Sequence, residues 1–329
     1  QLSGMVKLVR RIVSGTFLIE GCGALLLALR FIPRMGFGQG LYYAVFHAIS
    51  AFCNAGFDLM GRYEAFSSLT GYASDVLVNI TVMLLIIIGG IGFLVWDDIL
   101  KCRLSFKNYS LHSKIVLVTT PVLLVGGAIG YFVFEQNYTL QGNGIGEQIL
   151  KSFFASTTMR TAGFNTIDYA SMSPSASLLS DVLMMIGGSP GSTAGGMKIT
   201  TIALVFLSMV SMLRGQSDTI IGKRRVSTIL IKQAAVIILV YAVYILAGTM
   251  LICHIEGLPM SNVLFEVISA VCTVGVTTGI TPHLCALSHI ILIILMYGGR
   301  IGGFTLMLIL GKQNKQPPLR RPKENILIG

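Results

Sequence analysis

Three short stretches of the chain repeat a pattern whose chemistry is that of an ion cage. Each has a phenylalanine ten residues before a glycine: Phe46 and Gly56, Phe153 and Gly163, Phe265 and Gly275. The glycines are spaced about 110 residues apart, an internal repeat. A hydroxyl residue stands six before each glycine (Ser50, Thr157, Ser269), and a small polar and a small apolar residue immediately precede it: Asn54-Ala55, Thr161-Ala162, Thr273-Val274. A bare monovalent cation in hydrocarbon faces a desolvation penalty on the order of tens of kcal/mol, so a path for it must replace water with other oxygens. Backbone carbonyls supply them where several extended segments run toward one axis, and glycine permits the backbone angles and close approach this needs. Asn54, Ala55, Gly56, Thr161, Ala162, Gly163, Thr273, Val274 and Gly275 are therefore the candidate ion-binding set.

A second constellation is the run from Gly187 to Gly196, which holds Pro190 and the glycines Gly187, Gly188, Gly191, Gly195 and Gly196. It cannot stay helical, because proline removes a hydrogen bond and each glycine costs about 1 kcal/mol relative to alanine. At mid-membrane depth its freed carbonyls need water, ions or neighbouring loops as partners. Lys198 follows the run, and Arg300 lies in an apolar stretch within Tyr297-Gly298-Gly299-Arg300-Ile301-Gly302-Gly303. A cation within a membrane faces an interior cavity or finds a partner. The run, Lys198 and Arg300 form the candidate gate. The blander alternatives are a packing kink for the run, pairing with run carbonyls or an acidic residue for Arg300, and snorkelling to the interface for Lys198.

Other polar residues carry weaker signals. Glu20 falls inside the first apolar stretch, paired or protonated, and Asp97 and Asp98 sit beside Trp96 at a span end. Asp58, Asp168 and Glu266 flank the glycine segments, where they either concentrate cations or make ordinary hydrogen bonds. His47, His112, His254, His283 and His289 form no metal-spaced pair. Cys22, Cys53, Cys102, Cys253, Cys272 and Cys285 read as small apolar residues rather than ligands or disulfides. No nucleophile with a base, carboxylate pair or metal constellation is assembled, so the chain is read as no enzyme.

The elements that must position these residues follow from composition. Of 329 residues 53% are apolar and only 12% charged, which excludes a soluble surface, disorder and a disulfide scaffold. The net charge of +10 comes with no dense basic patch interleaved with aromatics, so nucleic acid is not a partner. Apolar stretches near 12–33, 76–96, 115–134, 178–212, 233–254 and 286–310 are long enough to cross roughly 30 Å of hydrocarbon. Seventeen of the 24 basic residues lie ahead of the first span, in the second and fourth connections counted by span, or after the sixth; by the positive-inside rule both termini are cytoplasmic. The three outer connections contain apolar stretches at 41–57, 149–164 and 263–276 that are too short to cross, and these read as re-entrant pore helices whose negative C-terminal ends favour cations. The expected fold is an all-α polytopic membrane protein built of parallel repeats of span, re-entrant pore helix and span around a central pore. Its units are 1–105, 106–222 and 223–312, followed by a tail at 313–329. Inverted repeats are the usual mark of a conformationally coupled secondary transporter, the alternative reading; these three share one orientation.

Thr273-Val274-Gly275-Val276 looks like the first part of the potassium-channel filter signature. Taken with Ala51-Phe52-Cys53-Asn54-Ala55-Gly56-Phe57, Arg160-Thr161-Ala162-Gly163-Phe164-Asn165 and the glycine run, the chain resembles the translocating subunit of the bacterial Trk/Ktr potassium-uptake superfamily, nearest the shorter Ktr type. The resemblance implies a pseudo-fourfold pore for potassium in the bacterial plasma membrane, with the run as an intramembrane gate and the arginine matching Arg300 beneath the filter. It also implies a homodimer in the lipid bilayer, a cytosolic ring of nucleotide-binding regulatory subunits (KtrA-like) that alone carries the nucleotide, and sodium as an activator of potassium uptake. Three of four family repeats are present, and the one expected upstream of Gln1 is the first.

Overall fold

The computed structural model describes residues 2–62, 66–103, 105–216, 218–221 and 224–301. The chain forms α1 (Leu2–Met35), α2 (Phe37–Phe52), α3 (Val76–Gly90), α4 (Phe93–Cys102), α5 (Leu111–Phe134), α6 (Ile145–Thr158), α7 (Pro174–Met185), α8 (Ile199–Leu213), α9 (Thr228–Glu256), α10 (Met260–Val271) and α11 (Ala286–Ile301). A two-residue antiparallel ribbon pairs Ile220–Ile221 with Arg224–Arg225 between α8 and α9.

Helices α1, α5 and α9 are each long and apolar enough to cross a membrane. Their outward faces are apolar: Phe17, Leu25 and Leu29 on α1 and Leu239, Leu246 and Met250 on α9 are each more than 60% exposed. An exposed apolar surface of that extent is stable against hydrocarbon rather than water. Helices α2, α6 and α10, of 16, 14 and 12 residues, rise only about 18–24 Å at 1.5 Å per residue, too little to cross. Each follows a long helix and turns back beside it: α1 with α2, α5 with α6 and α9 with α10 are among the most extensively packed pairs. This is the expected order of span, re-entrant helix, span.

Two expected spans are broken. The interruption of the fourth matches the expectation: α7 ends at Met185 and α8 begins at Ile199. The second, expected as one span over 76–96, is instead broken at Ile91–Gly92, where α3 and α4 meet at 91°. Gly92 takes φ +94, and the last carbonyls of α3 are diverted from the helix ladder, with Ser189 N donating to Gly90 O (2.9 Å) and Thr193 N to Gly89 O (3.3 Å). The indole of Trp96 donates back to Ile88 O (3.0 Å) and fixes the bend. Of the sixth span, residues beyond Ile301 lie outside the described residues, as does the tail at 313–329.

The core divides into two main clusters. One joins α1, α2 and α3 to Phe154, Ala162 and Phe164, and the other joins α5, α6, α7 and α9 to α10 and α11. The second glycine segment contributes to the first cluster and the third to the second, so the glycine segments stand where the clusters meet.

Candidate functional site

Each re-entrant helix ends two or three residues before a reversal made in the same unusual way. Asn54, Thr161 and Thr273 take φ of 48°, 67° and 53°, and the glycines two residues on, Gly56, Gly163 and Gly275, take 71°, 94° and 91°. The left-handed region costs an L-residue about 1–2 kcal/mol, most for a β-branched side chain such as threonine. A strained conformation repeated at three matching positions is one that the surroundings impose at each.

The turns are tied to their helices by hydroxyls. Ser50 donates to Phe57 O, Thr158 to Phe164 O and Ser269 to Val276 O, each at 2.7 Å. The bonded carbonyl belongs in every case to the residue after the glycine, so that oxygen is turned toward the helix. The middle hydroxyl is Thr158 rather than the Thr157 that the sequence spacing selects; Thr157 donates to Phe153 O within its own helix. The reason is a turn one residue shorter. Ala162 N reaches back four residues to Thr158 O, where Ala55 N and Val274 N reach back five, to Ser50 O and Ser269 O. The phenylalanine register is likewise not equivalent in space, since Phe265 is wholly buried and Phe153 is 38% exposed.

The three segments then meet. A Cβ built on Gly56 would lie 2.5 Å from Ala162 O and 2.8 Å from Gly163 Cα, and one on Gly163 would lie 2.4 Å from Val274 O. First abuts second and second abuts third through the same contact, glycine against the carbonyl before the neighbour's glycine. Gly275, next in that order, has no described atom within 4 Å of its would-be Cβ. Only glycine allows such approach at either closed contact.

The run from Gly187 to Gly196 lies against the proximal ends of all three segments. Asn54 Nδ2 donates to Thr193 Oγ1 (2.9 Å), which donates to Phe52 O at the C-terminus of α2 (3.0 Å). Gly195 N donates to Thr161 Oγ1 (3.0 Å). On the third segment, a Cβ at Gly195 would lie 2.0 Å from Thr273 Oγ1 and 2.6 Å from Cys272 O. The run is held from the other side by α3 and α4, through the bonds to Gly89 and Gly90 and by Phe93 N donating to Gly191 O (2.9 Å). The break in the second span is thus the seat of the glycine run.

Three cations supply further partners for its carbonyls. Lys198 Nζ donates to Ala194 O (2.7 Å), both terminal nitrogens of Arg300 reach Thr193 O at 3.5 Å, and Arg160 Nη2 donates to Gly187 O (3.3 Å). None of the three forms a salt bridge with a described carboxylate. Arg300 is placed by Gly299, where α11 presses onto the end of α10: a Cβ there would lie 1.7 Å from Val271 O. Of the alternatives for Arg300, pairing with run carbonyls is therefore realised, and pairing with a described acidic residue is not. Arg160, which the charge pattern reads as one of the few basic residues of an outer connection, is only 7% exposed. A cavity of about 580 Å³ opens beside the run, lined by Gly195, Gly196, Lys198, Tyr241 and Arg300 among others, with no carboxylate in its described wall.

The flanking acids serve local structure. Asp58 accepts from Met60 N (2.8 Å) and Asp168 caps a short turn by accepting from Ala170 N (3.0 Å). Glu266 is 6% exposed and its carboxylate is taken up by Thr277, Thr278 and Thr281. All three carboxylates make local hydrogen bonds, with Glu266 buried and Asp168 exposed. Glu20, 9% exposed, makes no ion pair with a described cation. No group of three or more potential metal ligands occurs among the described residues.

Comparison with known proteins agrees with this architecture. The model of the TrkH cation transport protein family matches residues 2–319. The chain is similar to the potassium/sodium uptake protein NtpJ of Enterococcus hirae, 37% identical over all of this chain and 73% of that protein. It is also similar to the Ktr system potassium uptake protein B of Bacillus subtilis strain 168, at 35% over all of this chain and 73% of the relative. Among solved structures, the potassium transporter TrkH from Vibrio parahaemolyticus shares the fold, with a TM-score of 0.71 at 17% identity over 92% of this chain; the match spans 64% of that longer chain. A chain matched by the family model over nearly its whole length, with re-entrant helices and glycine turns where the repeat sets them, belongs to the TrkH family of cation transport proteins.

Proposed function

We propose that this chain conducts potassium across the bacterial plasma membrane through a carbonyl filter built by Asn54–Gly56, Thr161–Gly163 and Thr273–Gly275. The observation that carries the reading is the packing of Gly56 on Ala162 O and of Gly163 on Val274 O, one contact repeated from segment to segment. Carbonyls not bound to their own helices are free there to replace a hydration shell, and three helix C-termini direct partial negative charge toward them. The open side of Gly275 is the place for a fourth segment, the one expected from the family's first repeat. Potassium is named for both of these relatives, with sodium beside it for NtpJ, and potassium is the ion we assign here.

In this reading the run 187–196 is the gate, because it bonds or abuts the proximal residue of every filter segment. Lys198 and Arg300 face the cavity beside it with no carboxylate among the described residues of its wall, so they raise the barrier to a cation approaching from that side. The cytoplasmic termini, the homodimer, the nucleotide-binding cytosolic ring and activation by sodium belong to the same proposal by family resemblance. The relatives named for a Ktr system point to a further component of that system. The test is uptake of rubidium, sodium and lithium by vesicles containing the full-length protein. The proposal expects rubidium to enter faster than sodium or lithium, down its gradient and without a coupled ion; uptake that requires a second ion's gradient supports a coupled transporter instead, and no uptake above empty vesicles contradicts both.

A further inference from the structure

The distal ends of the glycine segments, beyond the glycines, have neither helix nor sheet to satisfy their backbone. A buried N–H in such a place must find a side-chain acceptor. Two of the three re-entrant helices supply one from the same position, nine residues before the glycine, and deliver it to the same target, the N–H three residues after the glycine. In the first, His47 Nε2 accepts from Leu59 N (3.4 Å). In the third, Glu266 Oε1 accepts from Thr278 N (3.0 Å).

The surroundings of each residue fit this use. His47 is wholly buried among the rings of Phe31, Tyr43, Phe46 and Phe164. Its Nδ1 lies 2.7 Å from Tyr43 O, and a carbonyl can only accept, so the proton is on Nδ1 and Nε2 is left as the acceptor. Glu266 gathers a wider hold: besides Thr278 N, its Oε1 takes the hydroxyl of Thr277, and its Oε2 accepts from Thr281 Oγ1 at 2.8 Å. The middle helix is the exception. Phe154 stands nine before its glycine and offers no acceptor, and Thr166, three after that glycine, has a buried hydroxyl without a partner among the described residues. That segment is held from its neighbour instead, with Asn165 N donating to Ser68 Oγ (3.1 Å) and Leu69 N donating to Asn165 O (2.9 Å).

We infer that His47 and Glu266 are positioning residues that anchor the distal ends of the first and third glycine segments from behind, and thereby set how well the carbonyl cage separates potassium from sodium. This rests on the filter reading of the same site. Each side chain reaches its segment from its own re-entrant helix, beyond the glycine. Each removes slack from a segment whose carbonyls must hold their positions, and a slack cage loses its preference for the larger ion before it loses conduction.

The test uses the full-length protein in vesicles, with radioactive rubidium and sodium uptake measured in parallel and normalised to inserted protein. Glu266→Leu and His47→Leu are expected to lower the rubidium-to-sodium uptake ratio by about tenfold, the scale of a lost buried hydrogen bond to a charged or polar acceptor. Glu266→Gln and His47→Gln keep an acceptor oxygen and should recover most of the ratio. Leucine variants with the wild-type ratio overturn the inference, as does glutamine performing no better than leucine, since that assigns the effect to packing. Should the leucine variants fail to insert, Thr277→Val with Thr281→Val removes two donors and leaves Glu266 in place. A drop of about threefold then supports the inference and an unchanged ratio overturns it. Wild-type protein with no uptake above empty vesicles overturns the filter reading itself, and is told apart by the absence of any ratio to change.

Discussion

Two regions of this molecule place irregular backbone deep in an apolar structure, and they are built in opposite ways. The glycine segments after α2, α6 and α10 repeat one design: a left-handed reversal, a hydroxyl bond from the helix, and glycine packed on a neighbour's carbonyl. The run 187–196 repeats nothing, and it leans on groups from α2, α3, α4, α8 and α11 and from Arg160 and Thr161 in the segment after α6. Several of its bonds are long, at 3.3–3.5 Å. The first region has each segment fixed by its own helix, which suits a cage whose dimensions matter. The second is fixed by partners that belong to separate elements, which suits a part that moves when those elements shift.

The contrast can be broken by substitutions on either side of it. Gly163→Ala should have the largest effect, because its methyl meets Val274 O at 2.4 Å and the backbone is held at φ +94. Rubidium uptake should fall by more than about tenfold at equal membrane insertion, as expected for forced overpacking of backbone on backbone. Gly275→Ser meets no described atom, but its backbone is held at φ +91 and its side chain points to the side proposed for the fourth segment, so the potassium-to-sodium ratio should fall to about one; an unaltered ratio makes the glycine merely structural. Deletions within 187–196 should raise flux by several-fold, roughly as removal of an obstruction does, and unchanged uptake across a deletion series removes the gate role. Arg300→Ala should raise resting flux by about two- to threefold, small because Lys198 keeps one positive charge at the cavity. Gly191→Ala should do least: no described atom lies within 4 Å of its would-be Cβ, and φ +70 alone costs about 1 kcal/mol, read as uptake within about twofold of wild type.

Much of the architecture is legible in the residues because hydrocarbon imposes length. An apolar stretch of 12–16 residues between longer ones has to turn back, so α2, α6 and α10 follow from counting. The non-helical character of 187–196 follows from Pro190 and five glycines in the same way. What the residues conceal is set by partners distant in sequence. The run 76–96 is long and apolar enough to read as one span, and the local mark of its corner, Gly89-Gly90-Ile91-Gly92, is as common in straight membrane helices as in bent ones; the glycine run decides the bend by claiming the carbonyls of Gly89 and Gly90. Thr157 and Thr158 are adjacent hydroxyls, and a turn shortened by one residue decides between them. Arg160 reads as a loop charge, Glu266 as one of three acids near a mouth and His47 as an isolated histidine. Each acquires its use only when the fold presents a carbonyl or an N–H to it.

The central claim is that peptide oxygens from these segments stand in for water around an ion. Crystals of the full-length protein grown in rubidium, with anomalous scattering measured at the rubidium edge, test it directly. The account predicts anomalous density on the axis bounded by Asn54–Gly56, Thr161–Gly163 and Thr273–Gly275, within coordination distance of their carbonyls. Density confined to the cavity beside Lys198 and Arg300, with none between the three glycines, would contradict it.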